Sequence, residues 1–198
     1  MGTRHLTAVY MDGQYRVAQY GQFDGYPEGA GITCLHFLRD KMDEQLFRKR
    51  LAELRYMSDN EIDALLRKYH RDDEGFMPIS ESDRLEYDWP ALHRNTGADI
   101  LEMIQAGQVR DHALYSRLEF AADSLWCEWA WVIDLDKLTF EGYRGYNQEP
   151  LTEEDRFWFL REHEDEGYHG VKLVYDVSLK QLPTDEEFVA AFAKEDEV

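Results

Sequence analysis

The chain is 198 residues long and carries 41 acidic against 22 basic side chains, a net charge of −19. That sign disfavours direct binding of DNA, RNA or an anionic membrane, which need clustered Lys and Arg; it permits docking onto a basic protein surface, the plainer reading being solubility through a solvated acidic face. Aromatic residues at 14% argue against disorder, because rings at that density need a core or an interface to bury them.

Thr3–Met11 and Gln14–Tyr20 alternate apolar and polar residues around Asp12-Gly13 and predict a hairpin with a type I′ turn. The next segment sets Gly21, Gly25, Gly29 and Gly31 among Asp24, Tyr26, Pro27 and Glu28, a composition suited to close backbone approach. A helical region spans about 32–70. It runs through Ile32–Asp40 and Glu44–Tyr56 to a third helix opened by the capping box Ser58/Glu61. Residues 71–90, with Gly75, Pro78, Ser80, Ser82 and Pro90 among many charges, predict a long loop. Ala98–Ala106 reads as a helix terminated by Gly107.

A second hairpin joins Cys127–Leu135 to Leu138–Tyr143 through Asp136-Lys137. Its alternation points Cys127, Trp129, Trp131 and Ile133 one way and Glu128, Ala130, Val132 and Asp134 the other, with Glu128 and Asp134 in solvent. Thr152–His163 reads as a helix whose dipole is complemented by Glu153, Glu154 and Asp155. Strand Val171–Val177 and a helix over Asp185–Lys194 close the chain. This order predicts one α+β domain over residues 1–198, an antiparallel or mixed sheet with helices packed mainly on one side.

No transmembrane run and no basic-then-apolar leader is present, so a soluble, cytoplasmic protein is expected. Cys34 and Cys127 form neither a CxxC nor a Cys/His cluster and read as two reduced, buried thiols. His36, on an otherwise apolar helix face, reads as a hydrogen-bonded core residue. No two histidines share i, i+4 positions on a helix, so neither metal nor cofactor is expected. Phosphate-binding, dinucleotide, HExxH and GxSxG motifs are missing, and no catalytic residue is assigned.

Two constellations stand out. Arg4 with Asp24, Tyr26 and Glu28 would form a ligand-binding cluster, with Arg4 clamping an anion; the simpler alternative pairs Arg4 with one of the acids. Trp126, Glu128, Trp129 and Trp158 are the candidate interface residues, rings and carboxylate of the kind that anchor and steer a partner.

The opening MGTR with YGQFDGYPEGAG, the central DSLWCEWAWVIDLDKLTFEGYRGYN (Asp123–Asn147) and the late PTDEEF (Pro183–Phe188) resemble a group of small, acidic, uncharacterised proteins of bacteriophages and prophages. The resemblance implies a mobile-element product acting in the bacterial cytoplasm and carries over no catalytic role. A fainter likeness to enzymes with an N-terminal nucleophile departs at the decisive position, because removal of Met1 exposes Gly2. The functional expectation is therefore an acidic protein-binding module acting on a host or defence protein. The rival is a small hydrolase or ligand-binding protein with a pocket beside residues 21–31. A virion assembly role is a third reading, and the oligomeric state is left open.

Overall fold

Asp12 and Gly13 both adopt positive φ, 54° and 75°, the backbone of the type I′ turn that the sequence predicts between the first two strands. The computed structural model describes residues 2–164 and 167–193. Strands β1 (His5–Met11) and β2 (Gln14–Gly21) form that hairpin, and β5 (Trp129–Asp134) and β6 (Thr139–Arg144) form the second. With β7 (Lys172–Ser178) they build one five-stranded sheet of order β2-β1-β5-β6-β7. It is mixed: β1 and β5 run parallel, with His5 opposite Trp129, and the remaining neighbours are antiparallel. The fold is α+β, as expected.

One face of the sheet carries the helices. A continuous helical stretch has α geometry at α1 (Ile32–His36) and π turns at Pro27–Gly31 and Phe37–Lys41. Together with α2 (Glu44–Glu53), α5 (Ile100–Gln105) and α6 (Asp185–Ala193) it supplies the residues that bury Val9, Trp131 and Ile133. Phe188 and Phe192 of α6 press on Trp131 with ring centroids 5.7 Å away, and Phe37 meets Phe47 edge-on at 4.9 Å. Rings of this size supply most of the buried apolar area on this face. The opposite face, with Leu6, Ala8, Ala130 and Val132, is covered by Ala121, Ala122, Phe157 and Leu160 from irregular segments with 3-10 turns.

A third, smaller cluster joins α3 (Asp59–Lys68) to α4 (Ile79–Asp88) through Ile62, Leu65, Tyr69 and Leu85. The Ser58/Glu61 capping box opens α3 as the sequence predicts. Residues 71–90 are not one loop, since α4 occupies half of them, entered through Pro78 as its N-cap. The helix expected over Glu44–Tyr56 stops at Glu53, and β3 (Arg55–Tyr56) pairs with β4 (Ala113–Leu114). The helix expected over Thr152–His163 is a turn followed by 3-10 geometry at Trp158–His163. Asp155 turns back and accepts from both the N–H and the hydroxyl of Thr152, which closes a local turn in place of an α-helical one. Lys194, the expected end of the last helix, lies outside the described residues. Among those described, no helix is long and apolar enough to cross a membrane.

Candidate functional site

The two constellations separated by a hundred residues of sequence meet in space. Residues 2–4 enter β1, the 22–31 segment leaves β2, Trp126–Glu128 enter β5 and Tyr146 follows β6, so all four converge on one end of the sheet. There Thr3, Tyr26, Pro27, Glu28, Glu128, Trp129, Arg144, Tyr146, Val189 and Phe192 line a groove of about 390 Å³. Tyr26 and Tyr146 stand 40% and 54% exposed at its rim, and Trp126 nearby is 43% exposed. Trp129 is 9% exposed and forms the floor, stacked on Trp131 with ring planes 3° apart. The Arg144 guanidinium lies 5.5 Å from the Trp129 ring centroid.

Of the four expected ligand-binding residues, Tyr26 and Glu28 line this groove. Asp24 accepts from the Tyr26 hydroxyl at 3.1 Å and so braces it from behind. That carboxylate, acting as acceptor, holds the Tyr26 hydroxyl pKa above its ordinary value. Arg4 stacks over Trp126 at 4.1 Å, and its backbone N–H donates to Glu128 at 3.2 Å, so Arg4 joins the two constellations. Burial and the Glu128 charge raise the Tyr146 hydroxyl in the same way. Of the expected interface residues, Trp126, Glu128 and Trp129 gather here. Trp158 does not: it packs on the other sheet face, capped by Arg161 at 3.7 Å.

The glycines beside the groove serve internal packing. His5 is 3% exposed and caged by Gly21, Gly25 and Gly97, where an added Cβ would fall 2.1, 2.7 and 2.7 Å from His5 atoms. Neither ring nitrogen has a partner in hydrogen-bond geometry, and burial lowers the pKa to about 4, against the pull of the nearby Thr3 carbonyl and Asp24. Close approach is legible in the glycine spacing, but its object, His5 on β1, is not.

Asp134 corrects a second expectation. It is 1% exposed, and Arg156, from the segment covering that face, donates to it at 2.5 Å and to Glu141 at 2.7 and 2.8 Å. Tyr143 donates to the same Glu141 at 2.6 Å, and Asp134 also accepts from the Asp136 and Lys137 N–H groups. Burial opposes the Arg156 charge, but the two carboxylates outweigh it and hold the guanidinium protonated. This network pins the covering segment to the sheet. Cys127 likewise belongs to this face rather than sharing that of Trp129, because regular β5 begins only at Trp129. Both cysteines are buried, which pushes their thiols up, Cys34 to about 12. His36 is hydrogen-bonded as expected, 2.8 Å from Asp185 at the start of α6, but it is half-buried and not a core histidine.

A serine, a histidine and a carboxylate also meet behind α4. Ser82 Oγ is 3.3 Å from His93 Nε2, and Glu86 is 3.6 Å from His93 Nδ1. The Asn95 N–H also approaches that Nδ1, at 3.4 Å. A serine nucleophile needs Nε2 to accept its proton and a carboxylate hydrogen-bonded to Nδ1 to hold the ring. Glu86, at 3.6 Å, stands beyond hydrogen-bond distance, so the trio lacks that orienting bond. Among the described residues no group of three or more His, Cys, Asp or Glu side chains could hold a metal ion. No family model, no curated protein and no solved structure matches the chain.

Proposed function

We propose that the protein is a binding module whose groove at the end of the sheet takes a basic segment of a partner protein. The observation that carries this reading is the convergence of exposed Tyr26 and Tyr146 with Glu28 and Glu128 around the Trp129 floor. Aromatic faces attract a guanidinium or ammonium, and carboxylates at the rim pair with it while the stem of the side chain covers the floor. The net charge of −19 steers such a partner toward the module over distances that contacts do not reach. The resemblance to phage-encoded proteins favours a bacterial host or defence protein as the partner.

The rival reading, a small hydrolase or ligand-binding protein, places its pocket beside residues 21–31, and the groove lies there, lined by Tyr26, Pro27 and Glu28. The glycines themselves do not widen it, since His5 fills the space beside Gly21 and Gly25.

The test is a photo-crosslinking residue at Tyr146 in the full chain, followed by capture from bacterial lysate at low and moderate salt. The captured protein is then purified and its affinity measured against the wild type and Glu28→Lys. The reading expects cross-links to a Lys- or Arg-rich segment and at least a tenfold loss with Glu28→Lys at unchanged melting temperature. Undiminished affinity of every specific partner for Glu28→Lys would overturn it.

A further inference from the structure

Among the described residues, the three most exposed large hydrophobic side chains lie within a stretch of twelve residues. Phe76, Ile79 and Tyr87 are 73%, 82% and 87% exposed, whereas no other large apolar residue among those described exceeds 54%. Ile79 and Tyr87 both stand on α4. At about 100° per residue, Ile79, Asp83 and Tyr87 fall within about 80° of one another, and the stripe runs about 12 Å along the axis. Leu85, on the opposite side, is 5% exposed and locks the helix to Ile62, Leu65 and Tyr69. The Tyr69 hydroxyl donates to Asp88 at 2.9 Å and holds the end of the helix. The stripe is therefore presented on an anchored helix, with its apolar side chains turned away from the protein's own core.

Scattered exposed apolar residues are ordinary, but two large ones on one face of a helix, with a third three residues ahead of it, mark a docking surface. The charge around it names the partner's chemistry. Residues 72–88 carry seven carboxylates against the single cation Arg84. Arg84 itself is drawn to Glu81 and Asp88 at 3.7 and 3.6 Å and lies over the Tyr69 ring. Asp83 and Glu86 remain beside the stripe, both exposed. A second copy would bring like charges together, and so would an anionic membrane.

We infer that α4 docks, through Phe76, Ile79 and Tyr87, into an apolar groove bordered by Lys and Arg on a partner protein. This is helix-in-groove recognition, in which apolar anchors supply affinity while the flanking carboxylates set orientation and on-rate. The surface is separate from the groove at the end of the sheet, since α4 and its entry contribute nothing to that lining.

The experiment places a photo-crosslinking residue at Asp83 in the full chain and captures from lysate of the source cells. The cross-linked peptide is sequenced, the captured protein purified, and its affinity measured for the wild type, Ile79→Ser/Tyr87→Ser, Asp83→Lys and Glu28→Lys. The expected result is a cross-link within a basic-bordered apolar groove. With it come a loss on the order of 100-fold for the double variant, salt-sensitive weakening for Asp83→Lys, and no change for Glu28→Lys. Unchanged circular dichroism and melting temperature would show that the exposed substitutions spare the fold. A cross-link to a second copy, no specific cross-link at all, or an affinity that the double variant leaves intact would each overturn the inference. Sensitivity to Glu28→Lys alone would overturn it while leaving the sheet-end reading in place.

Discussion

The indole N–H of Trp131 donates to the backbone carbonyl of Gly25 at 2.8 Å, joining the middle of the central strand β5 to the glycine-rich segment. This bond is buried, and the same ring fills the space that a Cβ on Gly31 would need, at 2.9 Å. Trp131→Phe removes the donor, leaves the Gly25 carbonyl unsatisfied and opens a void. The expected cost is about 3 kcal/mol, from the lost hydrogen bond and the vacated volume together. Equilibrium urea unfolding measures it directly.

Gly21 and His5 cannot both be enlarged. Gly21→Ala places a methyl group 2.1 Å from His5 Cε1, and Gly97 and Gly25 prevent the ring from moving aside. Overpacking at such a site costs about 3 kcal/mol. In a His5→Ala background the methyl has room, so the two substitutions together should cost less than their sum by at least about 1 kcal/mol. Strict additivity in a double-mutant cycle would rule out the contact.

His5 also sets a pH dependence. In the unfolded chain its ring takes a proton below pH 6.5, but in the folded protein burial holds it neutral until about 4. The unfolded state therefore binds more protons between those values, and stability falls as pH drops from about 6.5 to about 4. The loss accumulates to about 3 kcal/mol. His93, lowered chiefly by burial, adds in the same direction. The slope of unfolding free energy against pH in this window should flatten in His5→Gln.

Arg156 is the only cation bridging Asp134 and Glu141 among the described residues, and both carboxylates are nearly inaccessible to water. Arg156→Met should cost about 3–5 kcal/mol, because two buried negative charges are left facing each other. Adding Asp134→Asn and Glu141→Gln should recover part of that loss. A triple variant as unstable as the single one would show that Arg156 acts through packing alone.

Features written locally were legible in the sequence. Asp12-Gly13 dictates its turn by backbone sterics, and Ser58 with Glu61 dictates a helix start by two reciprocal hydrogen bonds. Features set by what covers a surface were not. Strict alternation correctly put Asp134 on the face opposite Trp131. It could not show that residues 152–163 fold over that face and bring Arg156 with them. The density of Gly, Pro and Ser in 71–90 hid α4, whose apolar contact with the protein is reduced to Leu85. Much of the candidate site was visible as two separate clusters, Tyr26/Glu28 and Trp126/Glu128. Their meeting depends on the parallel pairing of β1 with β5, which no local pattern encodes.

That pairing has a consequence for synthesis. His5 and Trp129, opposite each other in the finished sheet, leave the ribosome 124 residues apart. At ordinary elongation rates this separates them by roughly 6–25 s. Throughout that interval the first hairpin exists without its central neighbour, and one edge of β1 is open to any strand that finds it. The helices of the first hundred residues emerge meanwhile, and they have only half a sheet to rest on. Completion waits for β5, and then for α6, whose Phe188 and Phe192 follow Trp131 by 57 and 61 residues and seal it. The nascent chain is thus committed late, and a truncation that removes α6 would release a molecule whose central tryptophan has lost its cover.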